Sequence, residues 1–149
     1  MAGSSAREQA IRTLAEKIRG FEVAMLTTVE PDGALRGRPM VNRQPEFDGD
    51  LWFLARGQSR LVWSIQRYSR VNLTYTDASQ GRFVSVTGTA HVVRDRQKAE
   101  ELWDPSYVSW LESPDNPELC LVKVTVDSAQ AWGGPSGGTE RIEGFSLIA

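Results

Sequence analysis

Hydrophobic and polar residues follow two rhythms along this chain, and the changes of rhythm mark its elements. Ile11, Leu14, Ala15 and Ile18 recur at helical spacing and predict a helix from Ala6 to Arg19. Ser5 and Glu8 stand at capping-box spacing before it, and Gly20 can end it in a left-handed conformation. The run Val23–Val29 reads as a strand, Glu30-Pro31-Asp32-Gly33 as a turn, and Ala34–Val41 as the returning strand of a hairpin. Gln44–Phe47 reads as extended. Leu51–Ala55 is apolar without alternation, which predicts a short strand buried on both faces.

Ser59 is the expected cap of a second helix reaching Arg67, with Leu61, Val62 and Ile65 inward. Val71–Thr76 alternates cleanly, placing Val71, Leu73 and Tyr75 inside. Arg82–Arg94 is the longest predicted strand, and Gly88 within it marks a bulge or a close backbone approach. Asp95 caps a further helix through Ala99, Leu102 and Trp103, which Asp104-Pro105 interrupts before another turn or two at Tyr107–Leu111. Leu119–Val126 is the last expected strand, and Ser128–Gly138 reads as a loose, glycine-rich tail. At least five strands joined mostly by turns favour a mainly β fold, a small antiparallel barrel with packing helices.

Composition narrows this picture. With 149 residues the chain is expected to form a single domain, residues 1–5 and about 133–149 being flexible or peripheral. Its formal net charge of -2 gives no overall basic bias towards nucleic acid. No apolar run approaches the roughly 20 residues of a membrane helix, and the first residues lack the apolar core of a secretion signal. The single cysteine, Cys120, excludes an internal disulfide, which fits a cytoplasmic location. It reads as a small packed residue. One histidine and one cysteine disfavour a metal cluster. His91 reads as a surface or interface residue, and without a Gly-x-Ser-x-Gly turn triad hydrolysis is disfavoured.

Three stretches carry candidate chemistry. Arg36 and Arg38 are two apart on a strand and should share a face, which means either a solvated surface or a nearby anion. Pro39 removes a backbone donor, so its strand should be an edge or bent. Ser59 and Arg60 open a helix, where free amides, a hydroxyl and a guanidinium suit phosphate as well as an ordinary cap. Trp132, before its glycines, could cover an aromatic ring.

Met25-Leu26-Thr27-Thr28, then Asp32-Gly33 and Arg36-Gly37-Arg38-Pro39-Met40, resemble the general stress protein 26 branch of the pyridoxamine 5'-phosphate oxidase-like superfamily. So do Asp48–Leu54, Val71–Tyr75, Val84–Ala90 and Glu101-Leu102-Trp103, in the same order, from about Ala6 to Gly134. The resemblance implies an FMN-binding split barrel that forms a homodimer with flavin at the subunit interface. It implies Arg38, Pro39, Met40 and Val41 beside the flavin ring and ribityl chain, with Arg36 a further candidate. Phe53, Leu54 and Ala55 would form the neighbouring strand, Ser59 and Arg60 the phosphate grip, and Trp132 the aromatic reaching the partner's flavin. Phe83 stands where related oxidases place a polar side chain.

Arg141-Ile142-Glu143 lacks the histidine of the Arg-x-His pair of true pyridoxamine phosphate oxidases. The implied function is therefore a flavin-dependent oxidoreductase or flavin reductase, with NAD(P)H or another small reductant, and no nucleic-acid or membrane partner. The alternatives are a non-catalytic flavin carrier or stress-response module, or the same fold holding FAD, F420 or haem.

Overall fold

Seven antiparallel strands make one sheet across residues 5–42, 44, 47–133 and 137–145, which the computed structural model describes. They are β1 (Val23–Val29), β2 (Leu35–Val41), β3 (Asp50–Arg56), β4 (Arg70–Asp77), β5 (Arg82–Val93), β6 (Leu119–Trp132) and β7 (Thr139–Ile142). Their order is β2-β1-β4-β5-β6-β3, with β7 also on β6. The 14-residue β6 serves two neighbours on one edge: Leu119–Thr125 pairs with β3, and Ala129–Trp132 with β7. β2 and β3 are the two ends of the path, and no ladder among the described residues joins them. The sheet curls but stays open, so the barrel is split.

Local chemistry sets most boundaries. Helix α1 (Ala6–Ile18) starts where the Ser5 hydroxyl accepts the Glu8 amide at 3.1 Å, and Gly20 follows it at φ +88°. Helix α2 (Arg60–Arg67) is capped by Ser59, whose hydroxyl accepts from the Val62 amide at 3.3 Å. Helix α3 (Arg96–Leu102) is capped by Asp95 on Lys98, and Pro105–Tyr107 form a 3-10 turn before the single turn α4 (Val108–Leu111). Gly88 sits where the β5–β6 register shifts, and a side chain there would run into the Thr125 carbonyl. The close-approach reading of that glycine holds.

The core has two parts. Inside the curl, Leu14 of α1 and Val62 and Ile65 of α2 pack with Leu26, Phe53, Leu73, Tyr75, Val86 and Val124 of the strands. Behind β3 and β6, α3, the 3-10 turn and α4 bury Leu54, Leu102, Tyr107, Leu111 and Leu121. β3 is thereby covered on both faces, as its unbroken apolar run predicted. Cys120 is fully buried in the first cluster, a packed residue as expected, and burial pushes its thiol up.

The C-terminal expectation fails. Ser128–Trp132 is not a loose tail but the second half of β6, paired with β5 and β7. β7 itself went unforeseen, because glycines on both sides of a four-residue strand mask its pattern. Pro45 and Glu46 of the expected extended segment lie outside the described residues.

Candidate functional site

The opening between β2 and β3 is a cavity of about 410 Å³, within the range of small-molecule sites. β2 gives it Arg38, Pro39, Met40 and Val41; β3 gives Leu54, Ala55 and Arg56; and the start of α2 gives Ser59, Arg60 and Leu61. Tyr107, from the 3-10 turn, completes the lining. One wall is thus apolar, and one end carries guanidinium groups beside a helix N-terminus.

A buried carboxylate organises that charged end. Glu30 ends β1, and the hairpin tip is fixed by its amide bonding to the Ala34 carbonyl at 2.7 Å, and by Gly33 at φ +88° donating to the Glu30 carbonyl. The Glu30 side chain is 7% exposed. Arg38 donates to its Oε1 at 3.0 Å and to Thr28 Oγ1 at 2.7 Å. Ser64, on the inner face of α2, donates its hydroxyl to Glu30 Oε2. Arg60 and Arg36 approach the same Oε1 at 3.7 and 3.8 Å. Thr28, Glu30 and Ser64 are the buried residues of polar or charged type among the described ones, and all three belong to this cluster.

The Ser64 hydroxyl is the main influence holding the Glu30 carboxyl below its ordinary range; Arg38, Arg60 and Arg36 add to it, while burial opposes them. Two arginines sharing a face posed the question of a nearby anion, and the protein contains one. Arg36 and Arg38 do face the same way, both towards Glu30. Pro39 lies on a true edge strand.

Of the residues singled out in the sequence, Arg38, Pro39, Met40, Val41, Leu54, Ala55, Ser59 and Arg60 line one cavity. Arg36 is half exposed and stays outside it. Phe53 packs in the main core and is not among the residues that line the cavity. Trp132 is an exposed member of β6, opposite Phe83 and Thr139, and does not reach the cavity of its own chain.

Glu30, Ser64, Arg56 and Tyr107 were missed. Glu30 was within reach of sequence reasoning: continuing the β1 alternation past Thr28 places it on the face of the arginines across the hairpin. Ser64 stands three and two residues from Leu61 and Val62 on the inward side of the helix. Arg56, bonded to Glu118 at 2.7 Å, and Tyr107 depend on tertiary packing.

The comparisons agree with this architecture. Residues 9–146 match the family model "Pyridoxamine 5'-phosphate oxidase like", and the chain belongs to that family. It is 24% identical over 133 residues to Protein bli-3 of Neurospora crassa, covering 82% of this chain and 64% of that one. The chain thus spans somewhat less than two thirds of that relative's length.

Among solved structures, the general stress protein 26 of Bacillus anthracis superposes with a TM-score of 0.72 at 22% identity, covering 90% of this chain and 97% of that one. The general stress FMN/FAD binding protein of Xanthomonas citri gives 0.70 at 21% identity, covering 95% and 98%. Both show the shared fold.

Proposed function

We propose that the cavity between β2 and β3 binds a flavin, FMN in the first instance, and that the protein is a homodimeric flavin-dependent oxidoreductase or flavin reductase. The observation that carries this reading is the convergence of an apolar wall, an edge strand and a helix N-terminus with arginines on one cavity. Ser59, Arg60 and the first amides of α2 would hold the phosphate. Met40, Val41, Leu54 and Ala55 would lie against the ring system, and the free edge of β2 would meet its polar rim.

Bound FMN would supply the hydride and electron chemistry. The described residues lining the cavity include no carboxylate and no imidazole. The chain's own part is therefore binding, orientation and exclusion of water. Together with the missing Arg-x-His pair, this argues against vitamin B6 oxidation.

The homodimer draws support from the outer face of the sheet. Met25, Phe83 and Trp132 are exposed there beside a polar network in which Asn72 donates to Ser85 and accepts from Thr74. A second copy covering this face would bury large apolar side chains and bring Trp132 towards the partner.

Titration of the purified protein with FMN, followed by flavin fluorescence, tests the binding. A quench or shift at micromolar protein is expected, and its absence would reject the reading. Oxidation of NADH or NADPH beyond the rate of free flavin separates a reductase from a non-catalytic carrier. The absorption spectrum of protein purified from its own host distinguishes FMN or FAD from F420 or haem. Sedimentation as a monomer at high concentration would overturn the shared site.

A further inference from the structure

The arginines around Glu30 are held very unequally. Arg38 is 15% exposed in its side chain and spends two donors, on Glu30 and on Thr28. Arg60 is 64% exposed and meets the same Oε1 only through Nε at 3.7 Å, beyond good hydrogen-bond distance. Yet Arg60 also lines the cavity, and it is the first residue of α2. One guanidinium is therefore shared between the carboxylate inside the protein and the cavity.

We propose that Glu30 is an internal competitor for the phosphate grip, surrendering Arg60 to the phosphate of a bound ligand and retaking it on release. This rests on the reading of the cavity as a site for a phosphate-bearing flavin. The exchange is cheap for a specific reason. When Arg60 leaves, Glu30 keeps the Arg38 bond, the Ser64 hydroxyl and Arg36 at 3.8 Å, so no buried carboxylate is stranded. Arg36, outside the cavity, thereby has a role as the standby counter-charge. Glu30 is a specificity-determining residue that acts through Arg60, and its effect falls on the phosphate and not on the ring.

Glu30→Gln is the appropriate variant, because the amide can still accept from Arg38 while donating to the Ser64 oxygen. Binding of FMN and riboflavin to the full chain is measured at low and high salt. The wild type should prefer FMN. E30Q should bind FMN more tightly by roughly threefold to tenfold at low salt, the scale of one screened unit charge. Riboflavin affinity should stay unchanged, and the gain should largely vanish in an Arg60→Ala background.

Unchanged or weaker FMN binding by E30Q, or an equal gain without Arg60, would overturn the exchange while leaving the flavin site intact. A wild type that binds FMN no better than riboflavin would instead overturn the phosphate site beneath it. An independent measurement needs no variant: the side-chain carboxyl carbon resonance of Glu30 should shift on addition of FMN and stay in place with riboflavin. No shift with FMN bound would equally overturn the proposal.

Discussion

The closed part of the sheet and its split are built from different materials. Along β4, β5 and β6 the ladders run continuously except at Gly88, and Leu73, Tyr75, Val84 and Val86 are buried to within 1%. At the split, Thr28, Glu30 and Ser64 are buried instead, with Arg38 donating to the first two and Ser64 to Glu30. Buried polar groups cost stability unless every one finds a partner, so a fold that only needed to be stable would not gather them in one place. If the split holds the proposed ligand site, stability and ligand chemistry are largely separated in space, and substitutions should separate them in experiment.

The largest effect belongs to the closed part. Leu73→Ala removes a fully buried side chain and should cost about 2–5 kcal/mol in urea denaturation. Flavin affinity of the folded fraction should be preserved; a parallel loss would show the regions to be coupled. Gly88→Ala places a Cβ against the Thr125 carbonyl and Val124, and should cost about 1–3 kcal/mol in thermal unfolding. An unchanged melting curve would mean that the β5–β6 crossing is looser than its geometry.

At the split the order reverses. Arg60→Ala removes an exposed side chain and should leave stability within about 0.5 kcal/mol. Its dissociation constant for FMN should rise about tenfold, a change of about 1.4 kcal/mol, with riboflavin unaffected. Equal losses for both flavins would remove Arg60 from the phosphate.

Tyr75→Phe returns to the closed part. The Tyr75 hydroxyl is buried without a hydrogen-bond partner among the described residues, and burial pushes the phenol up. Its removal should stabilise the protein by about 1 kcal/mol, read from denaturant midpoints.

The smallest effect is the acid limb of the stability curve. Glu30 has a lowered carboxyl pKa in the folded protein, so the unfolded chain binds more protons as pH falls. Its contribution is complete above the ordinary value of 4.5 and is lost as pH falls through the folded value. Asp77, held down mainly by the Ser79 hydroxyl, acts in the same sense. The melting temperature of E30Q should therefore fall less steeply in acid than that of the wild type. Parallel curves would place the acid sensitivity elsewhere.

Much of the fold was legible because burial and period coincide. β1, α2 and β4 are read correctly because Ala24 and Leu26, Leu61 and Ile65, and Val71 through Tyr75 each obey the spacing of their element. Ser128–Trp132 was misread because serine, alanine and glutamine at the end of β6 carry a weak pattern. Its strand character comes from ladders on both sides. The cavity residues were nameable from Arg38–Val41 and Ser59-Arg60, which are local motifs. That Phe53 packs in the main core was not legible, because an unbroken apolar run does not say which residues face which cluster.

The sequence by itself determined the hairpin of β1 and β2. Its Pro-Asp-Gly turn and its alternation set the register that pairs Thr28 with Arg36 and puts Arg36 and Arg38 on one face. How deeply their shared carboxylate, Glu30, is buried and what else reaches it were decided by the tertiary structure. The curl of the sheet brings its two ends, β2 and β3, to one cavity, and α2 carries Ser64 and Arg60 against the end of β1. Periodicity assigns a side chain to a face, but only long-range packing decides what else occupies that face. Here it is Ser64 and Arg60 of α2, which leave Glu30 with one arginine tightly bound and another loosely held at the cavity.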